Sequence, residues 1–135
     1  MPYAQERPNR QAEPAGELAS RSLAMPADTN PMGDMFGGWI MSLMDAAGAI
    51  TAMREAKGRV VTVAVSNITF HRPVKVGDVV CCCTNLTRIG KSSITLDGEV
   101  WVLRQGQGSR EMVTSAEFTF VAIDAEGRKR TLRPD

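Results

Sequence analysis

The chain has 135 residues, room for one domain and little more. Hydrophobic residues make up 43 % and charged residues 23 %, an ordinary globular balance, and a formal net charge of +1 gives no overall field for a nucleic acid. Aromatics at 5 % leave little for a base-stacking surface either.

Residues 1–17 are polar and rich in Pro, Arg, Glu and Gln, and read as a disordered leader before a domain over 18–135. They carry no apolar h-region of a signal peptide. The longest apolar run, 39–53, is broken by Asp45 and is shorter than the ~20 residues that cross a bilayer. The expectation is a soluble cytoplasmic protein with no membrane partner.

A short strand is expected over 18–25. Residues 26–38 hold Pro26, Pro31, Gly33, Gly37 and Gly38 with Asp28, Asn30 and Asp34, the composition of an irregular loop. From 39 to 57 the chain turns to Ala, Met, Leu and Ile without alternation, and Gly58 offers a stop, so one helix is predicted. It is apolar almost all round and is expected to be buried. Segments 59–71, 79–89, 92–103 and 112–123 are rich in Val, Thr, Ile and Phe and are parted by turn signals such as Gly77-Asp78 and Gly90-Lys91. Four long strands with short links imply an antiparallel meander. Such a sheet twists and curls, and the only apolar element it can wrap is the helix. The fold class is α+β, a long central helix wrapped by a curved antiparallel sheet.

Three cysteines stand in a row, Cys81, Cys82 and Cys83. Adjacent strand residues point to opposite faces, so the three cannot converge on one metal. They read as small core-filling residues, and no metal site is expected.

Asp45 is the anomaly. Asp is a poor mid-helix residue, and a buried carboxylate without a partner is costly. No cation stands at helical spacing to neutralise it. Residues at that spacing are Gly38, Met41, Ser42, Gly48, Ala49 and Ala52, so the Asp45 face leaves room for close approach. Gly37 and Gly38 open the helix, where free amide N–H groups and the dipole favour a developing negative charge. A carboxylate that activates water beside such amides suits acyl transfer, although the ~10 Å between Gly38 and Asp45 along the axis is long for one chain. A solvated Asp45, or one bonded to a neighbouring element, is the competing reading. No Ser-His-Asp set competes, since His71 is the only histidine and no Gly-x-Ser-x-Gly elbow is present.

The run Met25-Pro-Ala-Asp28-Thr-Asn30-Pro-Met-Gly33-Asp34-Met-Phe36-Gly37-Gly38-Trp39-Ile-Met-Ser-Leu-Met-Asp45 resembles the signature of hotdog-fold acyl-CoA thioesterases, the bacterial YciA-like branch. The likeness continues through Thr62, Pro73 to Val80, Gly90-Lys91-Ser92-Ser93 and Glu99-Val-Trp101, over about residues 18–132. It implies hydrolysis of acyl-CoA to the free acid and coenzyme A, with coenzyme A entering as part of the substrate and no separate cofactor. It implies that Asp45 is general base or nucleophile. Asn30 would position water or the thioester carbonyl, and the Phe36-Gly37-Gly38 backbone would polarise that carbonyl. Thr62 would lie near the thioester, and Gly90, Lys91, Ser92 and Ser93, with Arg88 nearby, would contact the coenzyme A arm. The family pairs two sheets edge to edge, shares active sites between subunits and assembles three dimers into a hexamer. Pro31-Met32 departs from the family pattern. A non-catalytic acyl-CoA-binding regulatory module is the alternative, which could dispense with Asp45. Hotdog hydratases need a histidine near the helix loop, and residues 26–45 contain none.

Overall fold

Three long strands make the centre of the sheet: β3 (Val79–Ile89), β4 (Ser93–Leu103) and β5 (Arg110–Ala122), paired antiparallel in sequence order. The computed structural model describes residues 13–104 and 108–132. The first twelve residues of the expected leader lie outside it. Residues 13–16 are described and run over the sheet, where the Ala15 N–H meets Glu99 Oε1 at 3.1 Å.

Two further strands complete the sheet, β1 (Glu17–Leu23) against β3 and β2 (Val60–Phe70) against β5, giving the order β1-β3-β4-β5-β2. This corrects the simple meander: β2 and β3 follow each other in sequence but lie on opposite sides of the β4–β5 pair. Turn signals fix where strands end, not which neighbour they choose. Pro73 lacks the N–H that a ladder needs, and the 73–78 link carries the chain across the fold.

The helix α1 (Gly37–Ala56) starts two residues earlier than composition suggests, and Lys57 rather than Gly58 takes the left-handed cap, with φ 55°. Arg130 also closes this end: its Nη2 donates to the Ala56 carbonyl at 2.7 Å. That gives one residue of the basic tail a helix-capping task. One face of α1, carrying Ile40, Met44, Ala47, Gly48 and Ala52, packs on Phe118, Phe120, Ile94 and Leu96. Gly48 lets the helix come close, because a Cβ there would lie 3.0 Å from the Phe120 ring.

The opposite face of α1 is not covered. Ile50 and Met53 are 49 % and 42 % exposed, so burial all round does not hold within one chain. Beside them β2 is exposed along nearly all its length, Val61, Val63, Val65 and Phe70 included. A strand this apolar, this open and at a sheet edge is normally covered by something. The cysteines divide too. Cys82 faces the helix, and burial pushes its thiol up to about 11. Cys81 and Cys83 lie on the outer face of the sheet, and all three are buried as expected, although only Cys82 packs in the cluster under the helix. No described helix is long and apolar enough to cross a membrane.

Two polar features give stability expectations. Arg104 ties the 73–78 link to the sheet, donating to the Pro73 carbonyl at 2.6 Å and pairing with Asp78 at 3.4 Å and Glu111 at 3.1 Å. Arg104→Ala strands a buried Asp78 and should cost about 2–3 kcal/mol in urea unfolding. Asp97 and Glu117 stand directly opposite on β4 and β5. Burial, then the Glu117 and Glu99 charges, raises the Asp97 carboxyl above 3.8. A raised folded value stabilises below the unfolded pKa and loses that stability as pH rises through the folded one. Asp97→Asn should therefore raise stability at neutral pH, by a small amount because solvent screens this exposed pair, and the gain should vanish at acid pH.

Candidate active site

Asp45 sits mid-way along α1, half-buried, and is not without a partner: Thr62 Oγ1 on β2 donates to Asp45 Oδ1 at 2.6 Å. The hydroxyl fixes one carboxylate oxygen. Among the described residues nothing bonds Oδ2, which is left to take a proton from an incoming molecule. The competing reading, a carboxylate bonded to a neighbouring element, is thus half right. The bond is there, and it orients one oxygen without consuming the other.

At the start of α1, Phe36 is the cap residue and contributes no side-chain bond. Its carbonyl accepts the N–H of Trp39 and of Ile40. Among the described residues the Gly37 and Gly38 amides have no backbone acceptor, so two donors point out of the helix end. Gly37 is required by packing, since a Cβ there would lie 3.1 Å from the Phe70 ring. Gly38 faces open space.

Asn30 is held inside its own loop. Its Oδ1 accepts the N–H of Met32 at 2.9 Å and of Asp34 at 3.1 Å, which leaves the side-chain NH₂ as the group it can offer outward. Pro31 needs no partner in this turn because it has no N–H. Asp34 does not cap the helix. It pairs with Lys75 Nζ at 2.7 Å and fixes the loop to the 73–78 link, where the Met35 N–H meets the Val74 carbonyl.

The hairpin of Arg88, Gly90, Lys91, Ser92 and Ser93 joins β3 to β4. The Gly90 N–H meets the Ser93 carbonyl at 2.8 Å, and a side chain at Gly90 would require the Ser93 hydroxyl, 2.5 Å from a Cβ there, to rotate away. Arg88 and Lys91 are exposed. His71 is occupied elsewhere, its Nε2 lying 3.0 Å from Ser115 Oγ.

The sheet register shows which of these residues one chain brings together. Thr62 pairs with Phe120, and Phe120 with Ile94, next to Ser93. Asp45, Thr62 and the hairpin therefore share one end of the fold, with Thr62 and Ile94 about 10 Å apart across β5. The Asn30 and Phe36-Gly37-Gly38 loop does not join them. Its Gly37 packs against the Phe70 ring at the far end of β2 from Thr62, and along α1 Gly38 stands ~10 Å from Asp45. Sequence reasoning missed the Thr62–Asp45 bond and the Asp34–Lys75 anchor, because neither pair is close in the chain. A hydroxyl among the valines of β2 was the one available signal for the first.

The thioesterase superfamily model matches residues 32–109. The acyl-CoA thioester hydrolase YciA of Escherichia coli (strain K12) is 52 % identical over 122 residues, 88 % of this chain and 92 % of that protein. HI0827, a hexameric broad specificity acyl-coenzyme A thioesterase solved with one aspartate changed to alanine, superposes with a TM-score of 0.87 at 52 % identity, over 90 % of this chain and 89 % of that one. An acyl-CoA hydrolase from Staphylococcus aureus, solved with butyryl coenzyme A, coenzyme A and coenzyme A disulfide, gives a TM-score of 0.78 at 30 % identity, over 83 % and 68 %. With the helix-in-sheet architecture and these likenesses, the chain belongs to the thioesterase superfamily and is a homologue of the YciA acyl-CoA thioester hydrolases.

Proposed function

We propose that this protein hydrolyses acyl-CoA thioesters to the free acid and coenzyme A, at sites shared between two subunits. The observation that carries the chemistry is the Asp45 carboxylate, oriented by Thr62 at 2.6 Å with its second oxygen free. In this reading Asp45 Oδ2 takes a proton from water, and the hydroxide adds to the thioester carbonyl. The amides of Gly37 and Gly38 donate to the oxyanion, and the Asn30 NH₂ holds the carbonyl or the water. Collapse breaks the C–S bond, and the proton on Asp45 leaves with the coenzyme A sulfur. Direct attack by Asp45 through a mixed anhydride uses the same groups. Arg88 and Lys91 meet coenzyme A phosphates, and Gly90, Ser92 and Ser93 give the hairpin a close backbone approach. The reaction needs water and no separate cofactor.

The shared site follows from β2. A second copy pairing along this open edge about a two-fold axis runs antiparallel, so the Phe70 end of one strand meets the Val60 end of the other. The partner's Asn30 and Gly37-Gly38 loop then comes to the Asp45 and Thr62 end. Three such dimers would form a hexamer, the state of the similar HI0827.

The test is release of free thiol from a series of acyl-CoAs, acetyl to palmitoyl. Turnover is expected with at least part of the series. Tight acyl-CoA binding with no thiol released from any of them would instead make the chain a binding module.

A further inference from the structure

On the outer face of the sheet, away from Asp45, residues 13–16 cross over β1 and β3 and close one side of a cavity of about 600 Å³. That size falls within the ~300–1,000 Å³ of small-molecule sites. Its apolar surface includes Leu18, Val79 and Leu103, and the Cys81 and Cys83 thiols line it. Leu18 is 49 % and Leu103 37 % exposed, so this apolar floor is wet in the single chain.

Two guanidiniums line the same space, Arg21 on β1 and Arg110 at the start of β5. Burial first, then Cys81 and Glu99, push the Cys83 thiol up, and both arginines are near enough to pull it partly back down. Among the described residues neither arginine has a carboxylate partner. The nearby acids are Glu13 on the lining and Glu99, whose Oε1 is taken by the Ala15 N–H and by Trp101 Nε1 at 2.9 Å.

We propose that this cavity binds a free fatty acid, its carboxylate between Arg21 and Arg110 and its chain over Leu18, Val79 and Leu103. A bare anion would satisfy the arginines and leave the apolar floor wet. A neutral lipid would cover the floor and leave two guanidiniums unpaired. A fatty acid does both, and it is what acyl-CoA hydrolysis releases. The choice of occupant rests on the hydrolase reading. The site is outside the catalytic groups, so occupancy is a product signal read on the far face of the sheet.

Cys81 and Cys83 are buried but line the cavity, so their slow labelling reports occupancy, and core-facing Cys82 serves as the reference. The experiment follows maleimide labelling of Cys81 and Cys83 by peptide mass spectrometry on the intact oligomer, with laurate, dodecanol or inorganic phosphate added. Laurate should slow labelling of both thiols in a saturable way. Dodecanol and phosphate should protect at about tenfold higher concentration or not at all. The double variant Arg21→Gln/Arg110→Gln should weaken laurate protection about tenfold while hydrolysing acyl-CoA at the wild-type rate. Each single variant gives a second, milder reading of the same effect. Unchanged labelling with laurate, equal protection by phosphate or dodecanol, or full protection in the double variant would each overturn the site. Labelling does not depend on turnover, so this inference and the hydrolase reading fail separately.

Discussion

Asp45→Ala should lower kcat on acyl-CoA about 10³-fold, the scale lost with a general base, while leaving the fold intact. Asp45 is half-buried on α1, alanine is the better helix residue, and among the described residues the only bond lost is the one from Thr62. Melting temperature should hardly move. Asp45→Asn keeps an oxygen for Thr62 but has no proton-accepting carboxylate, and should be nearly as slow. Thr62→Val removes the hydroxyl and leaves the acid. It should cost about tenfold, chiefly in kcat, since it mis-aims a base that is still present. Steady-state kinetics on the three variants, with thermal melts alongside, separates these cases. Wild-type turnover in Asp45→Ala would remove Asp45 from the mechanism.

Val63→Glu combined with Val65→Glu should dissolve the oligomer and abolish most of the activity. Both valines are exposed within one chain, at 54 % and 36 %, so the fold has no need of them as apolar groups. In a two-fold pairing along β2 each meets the same segment of the partner, and four carboxylates would face one another in a drying interface. Repulsion and desolvation together amount to several kcal/mol, enough to shift the assembly to monomers. Mass measurement in solution should give the monomer, and thiol release should fall at least ~100-fold, because the loop carrying Asn30 and Gly38 no longer reaches Asp45. A folded, fully active monomer would contradict the shared site.

Much of the architecture is legible in the sequence, because local patterns carry it. The Ala, Met and Leu run after Gly37-Gly38 announces α1, and the Val- and Thr-rich segments between turn signals announce β2 to β5, with β3 placed at its observed ends. Strand order is not local. β2 pairs with β5 rather than with its sequence neighbour β3, and no residue of β2 states that choice. The burial pattern misleads for a related reason. The helix composition reads as buried all round, yet Ile50 and Met53 are open in one chain, as are Val61 and Val63 beside them on β2. The cysteines show the limit of composition: three identical neighbours divide between two faces, and only the sheet register tells Cys82 from Cys81 and Cys83.

At the candidate site the residues were legible one by one, Asp45 from its isolation and Asn30, Thr62 and Gly90 from the family resemblance. Their arrangement was not. The Thr62 hydroxyl on Asp45 joins positions on different elements, and the packing of Gly37 against Phe70 at the far end of β2 appears only in the folded chain. The ~10 Å between Gly38 and Asp45 along the helix was the one sequence feature that pointed to a second subunit.

The shared site can be tested by complementation. Asp45→Ala and Asn30→Ala subunits, each impaired alone, are co-refolded in equal amounts and assayed for thiol release. In a mixed dimer one site carries both substitutions and the other carries neither. Random pairing makes half the dimers mixed, so about a quarter of wild-type activity should return. A mixture no more active than its two parents would place Asp45 and Asn30 in the same subunit's site and contradict the account.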